Sequence, residues 1–378
     1  MLTRSIQSLK GGLHRLGMAA VLLMPGVAAA EYGLNFQEPV TQTATELLGL
    51  HNMILGIVTV ITLLVFGVMF WSVIFHRKSS GREPATFHDN SKLEVVWTVV
   101  PFLILMVMAV PATKALLRMD DTSGSDMTLK ITGYQWKWKY EYPDQGISFF
   151  SNLSTPKEQI YNKAEKGEHY LLEVDNEVVL PVGKKVRLLV TANDVIHAWG
   201  VPQLGIKKDA IPGYVNEMWT RIDKPGVYRG QCVELCGKDH GFMPIVVRAV
   251  SDEEFNQWAS VQKDKMVAEA ASSKKSWTKA DLMEQGKKVY DVSCAACHGA
   301  TGAGVPGVFP PMANSKIAKG DVAAHLDIVM NGKAGTAMAA YKGQMSDVDL
   351  AAVITYERNA FGNDTGDVVQ PADIKAKR

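Results

Sequence analysis

Two long apolar segments near the start of the chain limit what this sequence can fold into. Residues 54–75 contain no charged side chain, and a second apolar run covers residues 95–117. A membrane-spanning helix needs about 20 such residues. The loop between the runs is basic, which places it in the cytoplasm by the positive-inside bias. Two buried helices of a soluble protein would not need this loop, so we predict a transmembrane hairpin over residues 31–118, with helices at about 50–76 and 93–117.

The first 30 residues have the composition of a secretory signal peptide. Basic side chains precede the short apolar run Met18–Val27, which is followed by Ala28-Ala29-Ala30. Small residues at this place mark a cleavage site. The alternative is an uncleaved membrane anchor, but the apolar run is too short to span a bilayer. We therefore predict that residues 1–30 are removed near Ala30 on export.

Residues 119–250 have the alternating polar and apolar pattern of short β-strands. Met127–Thr132, Tyr170–Val174 and Lys185–Thr191 follow this pattern, which is typical of strands with one buried face. Pro and Gly residues between such segments indicate turns. Several short strands separated by turns predict an all-β sandwich.

The segment Gly230–Pro244 concentrates side chains that bind metals. Within it lie two thiols, an imidazole and a thioether, and a second imidazole stands upstream. Soft sulfur ligands combined with imidazole select copper or zinc, and a mononuclear blue-copper site uses one Cys, two His and a weak Met. The extra Cys therefore favours two thiolates that bridge two copper ions. The candidate donors are the side chains of His197, Cys232, Cys236, His240 and Met243 and the backbone carbonyl of Glu234.

Two other interpretations of this segment stay open. In an oxidising compartment Cys232 and Cys236 could form a disulfide, which would leave both imidazoles and the thioether without a role. A zinc site of two Cys and two His is chemically allowed, but it does not use Met243.

The sequence Cys294-Ala-Ala-Cys297-His298 is the attachment signature of c-type haem. The two thiols would add to the haem vinyl groups, and His298 would bind the iron. A methionine as the second axial ligand raises the potential and blocks substrate binding. We predict Met338, because it lies in a loop of small residues from which a thioether can reach the iron. The other candidates are Met312, Met330, which lies in an amphipathic run typical of a core position, and Met345.

Helical spacing around this motif predicts an all-α domain over residues 277–365. Its last helix, over residues 346–359, should pack against Gly286, where the missing side chain permits close approach. Residues 251–276 are rich in Lys, Glu, Ala and Ser, and we predict a flexible linker with some helix. Residues 366–378 are predicted to form a tail.

The metal-binding segment resembles, residue for residue, the dinuclear copper (Cu-A) motif of cytochrome c oxidase subunit II. The matching positions are His197, Cys232, Glu234, Cys236, His240 and Met243. Residues 31–365 together resemble a subunit II with a fused C-terminal cytochrome c, as in caa-type haem–copper oxidases. The resemblance implies a multidomain fold with a two-helix transmembrane hairpin, a cupredoxin-like Greek-key sandwich and an all-α class I cytochrome c domain.

The same resemblance implies a subunit of a proton-pumping terminal oxidase in the bacterial inner membrane, with its copper and haem domains on the periplasmic side. Electrons would pass from cytochrome c or another haem protein through haem c and Cu-A to haem a of subunit I, where O₂ is reduced to water. Subunits I and III are the implied partners. A net charge of +1 argues against a nucleic-acid partner. A quinol-oxidase subunit II would lack the copper donors, and a membrane-anchored copper-delivery protein would not need a covalent haem.

Three further residue roles are implied by the resemblance. Trp136, in the aromatic run Tyr134–Tyr142, is the expected electron entry point, although such runs also serve core packing. Glu94 is expected at the mouth of the proton-uptake path toward subunit I (the K path). The carboxylate of Glu234 is expected to help hold a magnesium ion at the boundary with subunit I. For both carboxylates the alternative is an ordinary solvated side chain. The family often has an aromatic residue where Lys137 stands.

Overall fold

A computed structural model of the chain describes residues 35–83 and 86–378. The predicted signal peptide at 1–30 lies outside the described residues. Within them, two helices are long and apolar enough to cross a membrane, α1 at Gln42–Phe75 and α2 at Ser91–Asp120. Most of their large apolar side chains are exposed on the helix surfaces, as expected for helices surrounded by lipid.

The helix α1 begins earlier than the predicted position near residue 50. Its N-cap is Thr41, whose hydroxyl oxygen accepts a hydrogen bond from the backbone N–H of Ala44 at 3.0 Å. The same hydroxyl donates to the carbonyl of Leu204 at 2.8 Å, and Thr41 and Ala44 are both buried. The helix therefore continues past the apolar run because its first turn packs against the β-domain.

Two five-stranded sheets within the described residues form the predicted β-sandwich. The strands are β1 Met127–Tyr134, β2 Lys137–Tyr142, β3 Ile147–Ser151, β4 Val178–Pro181, β5 Val186–Ala192, β6 His197–Val201, β7 Ile206–Ala210, β8 Asn216–Thr220, β9 Gly226–Cys232 and β10 Pro244–Val250. One sheet has the order β3-β2-β1-β5-β8 and the other β4-β10-β9-β6-β7. The pairs β1/β5 and β4/β10 are parallel, and the other pairs of neighbouring strands are antiparallel.

Two of the three quoted strand predictions are confirmed, since Met127–Thr132 lies in β1 and Lys185–Thr191 overlaps β5. The third, Tyr170–Val174, is wrong. Leu171 has a φ of 62°, and the N–H of Leu172 donates to the carbonyl of His169 at 2.9 Å, so this segment turns instead of extending. A short helix α3 at Lys157–Ile160 precedes it.

Large aromatic side chains fill the space between the sheets. Trp138, Tyr140 and Trp199 are fully buried, and the indole N–H of Trp199 donates to the hydroxyl of Tyr140 at 3.1 Å. A buried Trp or Tyr keeps its polar atom satisfied in this way. The core is therefore rigid directly beneath the loops that carry the candidate metal donors.

Residues 251–276 contain the predicted helix, but they do not form a flexible tether. The helix α4 spans Asp252–Ser272 and begins with a capping box between Ser251 and Glu254. Phe255 is buried in the sandwich core, and the ring centroid of Trp258 lies 5.1 Å from that of Tyr142. These aromatic anchors attach the first half of the helix to the sandwich, which is why the expectation of a free linker fails.

The C-terminal domain is helical, as predicted. Its helices are α5 Lys279–Ser293, α6 Ala295–His298, α7 Lys316–Lys319, α8 Val322–Asn331, α9 Asp347–Asn359 and α10 Pro371–Lys375. The helix α9 is capped by Ser346, whose hydroxyl oxygen accepts from the N–H of Asp349 at 3.0 Å. A Cβ on Gly286 would lie 2.1 Å from the carbonyl oxygen of Ala352, so α5 and α9 approach each other as closely as predicted.

The segment 366–378 is not a free tail. Val369 and Ile374 are buried against the helical core, and the N–H of Trp277 donates to the side-chain oxygen of Gln370 at 2.9 Å. Arg378 donates to the carbonyls of Lys342 and Met345. Two apolar residues in a polar segment thus extend the helical domain past the predicted boundary at 365.

Candidate metal and haem centres

The sandwich brings the predicted copper donors together at one end of two neighbouring strands. His197 opens β6 and Cys232 closes β9, and these strands pair through Trp199 and Cys232. The loop from β9 to β10 carries the remaining donors. A donor set spread over the positions from His197 to Met243 is therefore assembled by strand pairing.

Neighbouring donor atoms of the candidate copper site lie 3.4 to 3.9 Å apart, close enough to bind the same metal ion. The Sγ atoms of Cys232 and Cys236 are 3.8 Å apart. The Sγ of Cys236 is 3.4 Å from Nδ1 of His240 and 3.6 Å from Sδ of Met243. The Sγ of Cys232 is 3.9 Å from Nδ1 of His197 and 3.4 Å from the carbonyl oxygen of Glu234. Each thiol thus lies next to a different imidazole. Each also lies next to a weaker donor, which is the carbonyl of Glu234 for Cys232 and the thioether of Met243 for Cys236.

This arrangement suits a dinuclear copper centre better than the two alternatives. A disulfide requires an S–S distance of about 2.05 Å, whereas all four cysteines of the chain, which lie within the described residues, are free. A tetrahedral zinc site would use two Cys and two His and leave the thioether of Met243 beside Cys236 without a function. The residues present fit two copper ions bridged by two thiolates.

Groups outside the donor set hold the donors in place. The Nε2–H of His197 donates to Oδ1 of Asp194 at 2.9 Å, which leaves Nδ1 directed at Cys232. Partners of this kind fix the tautomer and orientation of a metal-binding imidazole. The side-chain amide of Gln135 and the indole N–H of Trp136 both donate to the carbonyl of Cys236, at 2.8 and 3.2 Å.

Two residues of the sandwich, one in β2 and one in β1, also support the site. The indole N–H of Trp138 donates to the carbonyl of Met243 at 3.2 Å. A Cβ on Gly133 would lie 2.8 Å from the ring of His197, so a larger residue in β1 would push the imidazole away. Neither these two groups nor Asp194 and Gln135 were assigned a supporting role from the sequence, although an Asp three positions before a candidate His, as at Asp194, is a usable signal.

Protons compete with a metal ion for the candidate copper donors. A hydrogen bond with Cys236, aided by one with His197, lowers the pKa of the Cys232 thiol to about 3 despite its burial. The same bond and burial raise the pKa of Cys236, so the two sulfurs share one proton. Burial lowers the pKa of His197, but hydrogen bonds with Asp194 and Cys232 outweigh it and raise the pKa. Thiolate and imidazole must both lose protons to bind metal.

The haem-attachment signature lies where α5 ends and α6 begins. Cys294 and Cys297 sit one helical turn apart, and the N–H of His298 donates to the carbonyl of Cys294 at 2.9 Å. The Nδ1–H of His298 donates to the carbonyl of Pro310 at 2.8 Å. That bond fixes the imidazole and leaves Nε2 for the iron of a haem, so the motif fits its predicted cofactor.

The candidate axial methionines differ in their surroundings. Met330 is 1% exposed in the helical core, as its amphipathic run predicted. Met312 and Met345 also pack against that core. Met338 is half-buried in the loop after α8, and the carbonyl of Met338 accepts from the N–H of Lys333 at 3.1 Å. The Met338 side chain is thus not committed to the core, which keeps it as our predicted ligand.

The three residues whose roles rest on resemblance occupy distinct places. Trp136 is half-buried against the loop between β9 and β10, which carries most of the candidate copper donors. Glu94 lies in the first turn of α2, next to the basic loop, and is exposed. The side chain of Glu234 is also exposed, while its carbonyl faces Cys232.

Family models match three parts of the chain. Residues 127–250 match the periplasmic domain of cytochrome c oxidase subunit II, and residues 29–115 match the transmembrane domain of that subunit. Residues 281–356 match a model described as cytochrome c oxidase, cbb3-type, subunit III. A relative from Rickettsia prowazekii, named "Probable cytochrome c oxidase subunit 2", is 43% identical over 242 residues, covering 64% of this chain and 75% of that protein.

The chain belongs to the cytochrome c oxidase subunit II family. The cytochrome c oxidase subunit 2 of Cereibacter sphaeroides is 38% identical over 239 residues, covering 60% of this chain and 79% of that protein. The crystallised periplasmic domain of subunit II (CoxB) of Bradyrhizobium japonicum is 46% identical, covers 38% of this chain and 98% of that chain, and has a TM-score of 0.35.

As a subunit II with a C-terminal cytochrome c domain, this chain is an electron-transfer component of a cytochrome c oxidase of the caa type. It is a membrane protein with a periplasmic C-terminal region, and subunit I is its partner. The subunit II domain implies copper and the cytochrome c domain implies haem.

Proposed function

We propose that this subunit II takes electrons from a cytochrome c through a covalent haem c and a dinuclear Cu-A centre. It then passes them to haem a of subunit I in a bacterial inner membrane, where O₂ is reduced to water with proton pumping. The observation that carries this proposal is the pairing of each bridging sulfur with its own imidazole, at 3.9 Å for Cys232 and His197 and 3.4 Å for Cys236 and His240.

The copper-binding residues divide into two halves that share the sulfurs. His197 with the carbonyl of Glu234 belongs to the half next to Cys232, and His240 with Met243 to the half next to Cys236. Bound to these residues, two copper ions would supply a centre that gains and loses one electron. The hydrogen bond that His197 donates to Asp194 keeps this imidazole fixed. Those that Gln135, Trp136 and Trp138 donate to carbonyls of the β9–β10 loop hold the other donors, which lowers the reorganisation needed for transfer.

The haem-binding residues support electron transfer and exclude oxygen chemistry in this chain. Cys294 and Cys297 would attach the haem covalently, and His298 and Met338 would fill both axial positions. A haem with two protein ligands supplies reversible one-electron chemistry, because no position is left for O₂. Oxygen reduction is therefore assigned to subunit I.

Trp136 is proposed as the electron entry point to copper. Its indole N–H donates to the carbonyl of Cys236, so the ring is joined to a bridging ligand by one hydrogen bond. Glu94 is proposed at the mouth of the proton path, and the exposed carboxylate of Glu234 as a magnesium ligand shared with subunit I. We also include subunit III among the partners.

Flash reduction of the haem in the purified oxidase, followed optically at both cofactors, tests this route. We expect haem-to-copper transfer whose rate does not depend on protein concentration, because both centres lie in one chain. Trp136→Ala should slow this transfer at least tenfold while leaving the copper spectrum and the external reduction of haem nearly unchanged.

Trp219→Ala is the matched control, because its ring lies on β8, where its N–H donates to the carbonyl of Arg118. This variant should transfer electrons at the parent rate. If copper is reduced as fast in Trp136→Ala as in the parent, electrons enter elsewhere and the route through Trp136 is wrong.

A further inference from the structure

Two lysines of the copper domain (residues 119–250) contact the haem domain (residues 277–378). The Nζ of Lys238 donates to the carbonyl of Ala296 at 2.8 Å, and the Nζ of Lys157 donates to the carbonyl of Asp291 at 3.1 Å. Both acceptors lie within five positions of Cys294. Two lysines that are distant in sequence thus converge on the segment that attaches the haem.

The acceptors are suited to a cation by their place in the helices. Asp291 lies in the last turn of α5, and Ala296 lies in the short helix α6. The last four carbonyls of a helix have no partner within it. At the end of the 15-residue helix α5 the helix dipole also favours Lys, whereas the four-residue helix α6 contributes only a carbonyl acceptor.

A buried contact lies beside these two hydrogen bonds. Lys137 is 8% exposed, and its Nζ lies 4.6 Å from the ring centroid of Phe150 and 5.8 Å from that of Tyr341 in the haem domain. The hydroxyl of Tyr341 donates to the carbonyl of Ser293 at 3.0 Å, so this ring is itself anchored at the attachment segment.

Two of these contacts lie close to the proposed electron entry point. Lys137 follows Trp136 directly in the chain, and Lys238 follows Gly237, where a Cβ would lie 3.1 Å from the Trp136 ring. The haem domain therefore contacts copper-domain residues that neighbour Trp136.

We propose that Lys157 and Lys238 form a docking site on the copper domain for the haem domain of the same chain. This inference rests on the proposed electron route. The docked domain occupies the surface beside Trp136, so an external donor reduces the haem and does not reach copper directly. Docking specificity then resides in lysines of the copper domain that recognise helix C-terminal carbonyls.

The test compares the parent with a double variant that carries both Lys157→Gln and Lys238→Gln, each in the purified oxidase. Hydroxyl-radical footprinting reports docking through oxidation of Phe150 and Tyr341, whose rings both face Lys137. We expect oxidation of both rings to rise about threefold in the double variant and haem-to-copper transfer to slow about tenfold. The parent should show the same changes at high salt, because screening weakens exposed charged contacts.

Lys166→Gln is the matched control. The Nζ of Lys166 lies 4.4 Å from the ring centroid of Tyr170 within the copper domain, so this variant removes a lysine and a cation–π contact away from the interface. It should leave both footprinting and transfer at parent values.

The outcomes separate the docking site from the electron route. Unchanged oxidation of Phe150 and Tyr341 in the double variant would overturn the docking site, whatever the transfer rate. Protected rings in a parent that shows no haem-to-copper transfer would keep the docking site but reject the electron route.

Discussion

The copper and haem centres of this chain are built in opposite ways. The copper donors come from two paired strands and the loop between β9 and β10, and a rigid aromatic core supports them. The proposed haem site uses a contiguous motif, Cys294–His298, for attachment and one axial ligand, and takes its proposed second axial ligand, Met338, from a distant loop. A site assembled by the fold should be sensitive to changes in its framework. A covalently attached cofactor should stay in place when one axial ligand is lost.

Loss of the predicted axial methionine should have the largest effect. Met338→Ala should leave haem covalently attached through Cys294 and Cys297 but convert it to a high-spin or weakly ligated form that binds carbon monoxide. Optical spectra of the reduced protein with and without carbon monoxide provide the measurement. Met345→Ala is the control and should stay low-spin. A low-spin, methionine-ligated Met338→Ala protein would show that another methionine is the ligand.

The helix crossing in the haem domain should be the next most sensitive feature. Gly286→Ala would place a Cβ 2.1 Å from the carbonyl oxygen of Ala352, so α5 and α9 must separate. We expect the haem domain to lose about 3 kcal/mol of unfolding free energy, as for overpacked cores. Denaturant unfolding followed at the haem absorption band measures this loss.

Gly343→Ala provides the comparison, because no heavy atom lies within 4 Å of its Cβ position. It should change stability little, and the copper spectrum should be unchanged in both variants. Equal stability of the two variants would mean that the helices do not cross as closely as described.

The framework of the copper site should respond to a change outside its donor set. Asp194→Ala removes the acceptor that orients His197, and such partners typically contribute 10- to 100-fold to metal affinity, by order of magnitude. Competition with a copper chelator should therefore show weaker copper binding by about that factor, with the haem unaffected. Asp209→Ala, which removes a surface ion pair with Lys207, should bind copper like the parent. Equal affinity of the two variants would contradict the orienting role.

The smallest effect is expected at the contact between the two domains. Burial lowers the pKa of Lys137 to about 8, opposed by Asp175 and Asp194. Undocking exposes Lys137 and moves its pKa up toward its ordinary value of about 10.5, so docking releases a proton and becomes more favourable as the pH rises above about 8. At a salt concentration that partly undocks the domain, the docking equilibrium should increase about tenfold from pH 7 to pH 9.

The haem-to-copper transfer rate at each pH measures this dependence. Lys137→Met keeps an unbranched side chain, one atom shorter, and removes its charge, so its transfer rate should vary less with pH than that of the parent. If both proteins show the same pH dependence, another group is responsible.

Residue type and spacing predicted much of both sites, but for different reasons. Cys294–His298 is readable because its chemistry is local in sequence. The copper donors could be selected as thiols, imidazoles and a thioether, but their joint position depends on the pairing of β6 with β9. The supporting role of the carbonyl of Pro310 depends on a folded distance, which no sequence pattern encodes, whereas Asp194 lies three positions before His197 and could have been noticed.

Two of the errors in the fold come from contacts between domains. The early start of α1 near Thr41 and the attachment of α4 through Phe255 and Trp258 both result from packing against the sandwich. Hydropathy and composition report local preference and miss such contacts. The segment Tyr170–Val174 failed for a local reason, since an alternating pattern does not reveal the positive φ of Leu171.

Copper content and electron paramagnetic resonance of the full-length protein test the central claim most directly. The two sulfurs lie 3.8 Å apart, each beside its own imidazole, so we expect two copper ions per chain. The oxidised centre should give a mixed-valence spectrum with hyperfine coupling to both ions. Saturation at one copper per chain, with the spectrum of a mononuclear blue-copper site, would contradict the dinuclear centre.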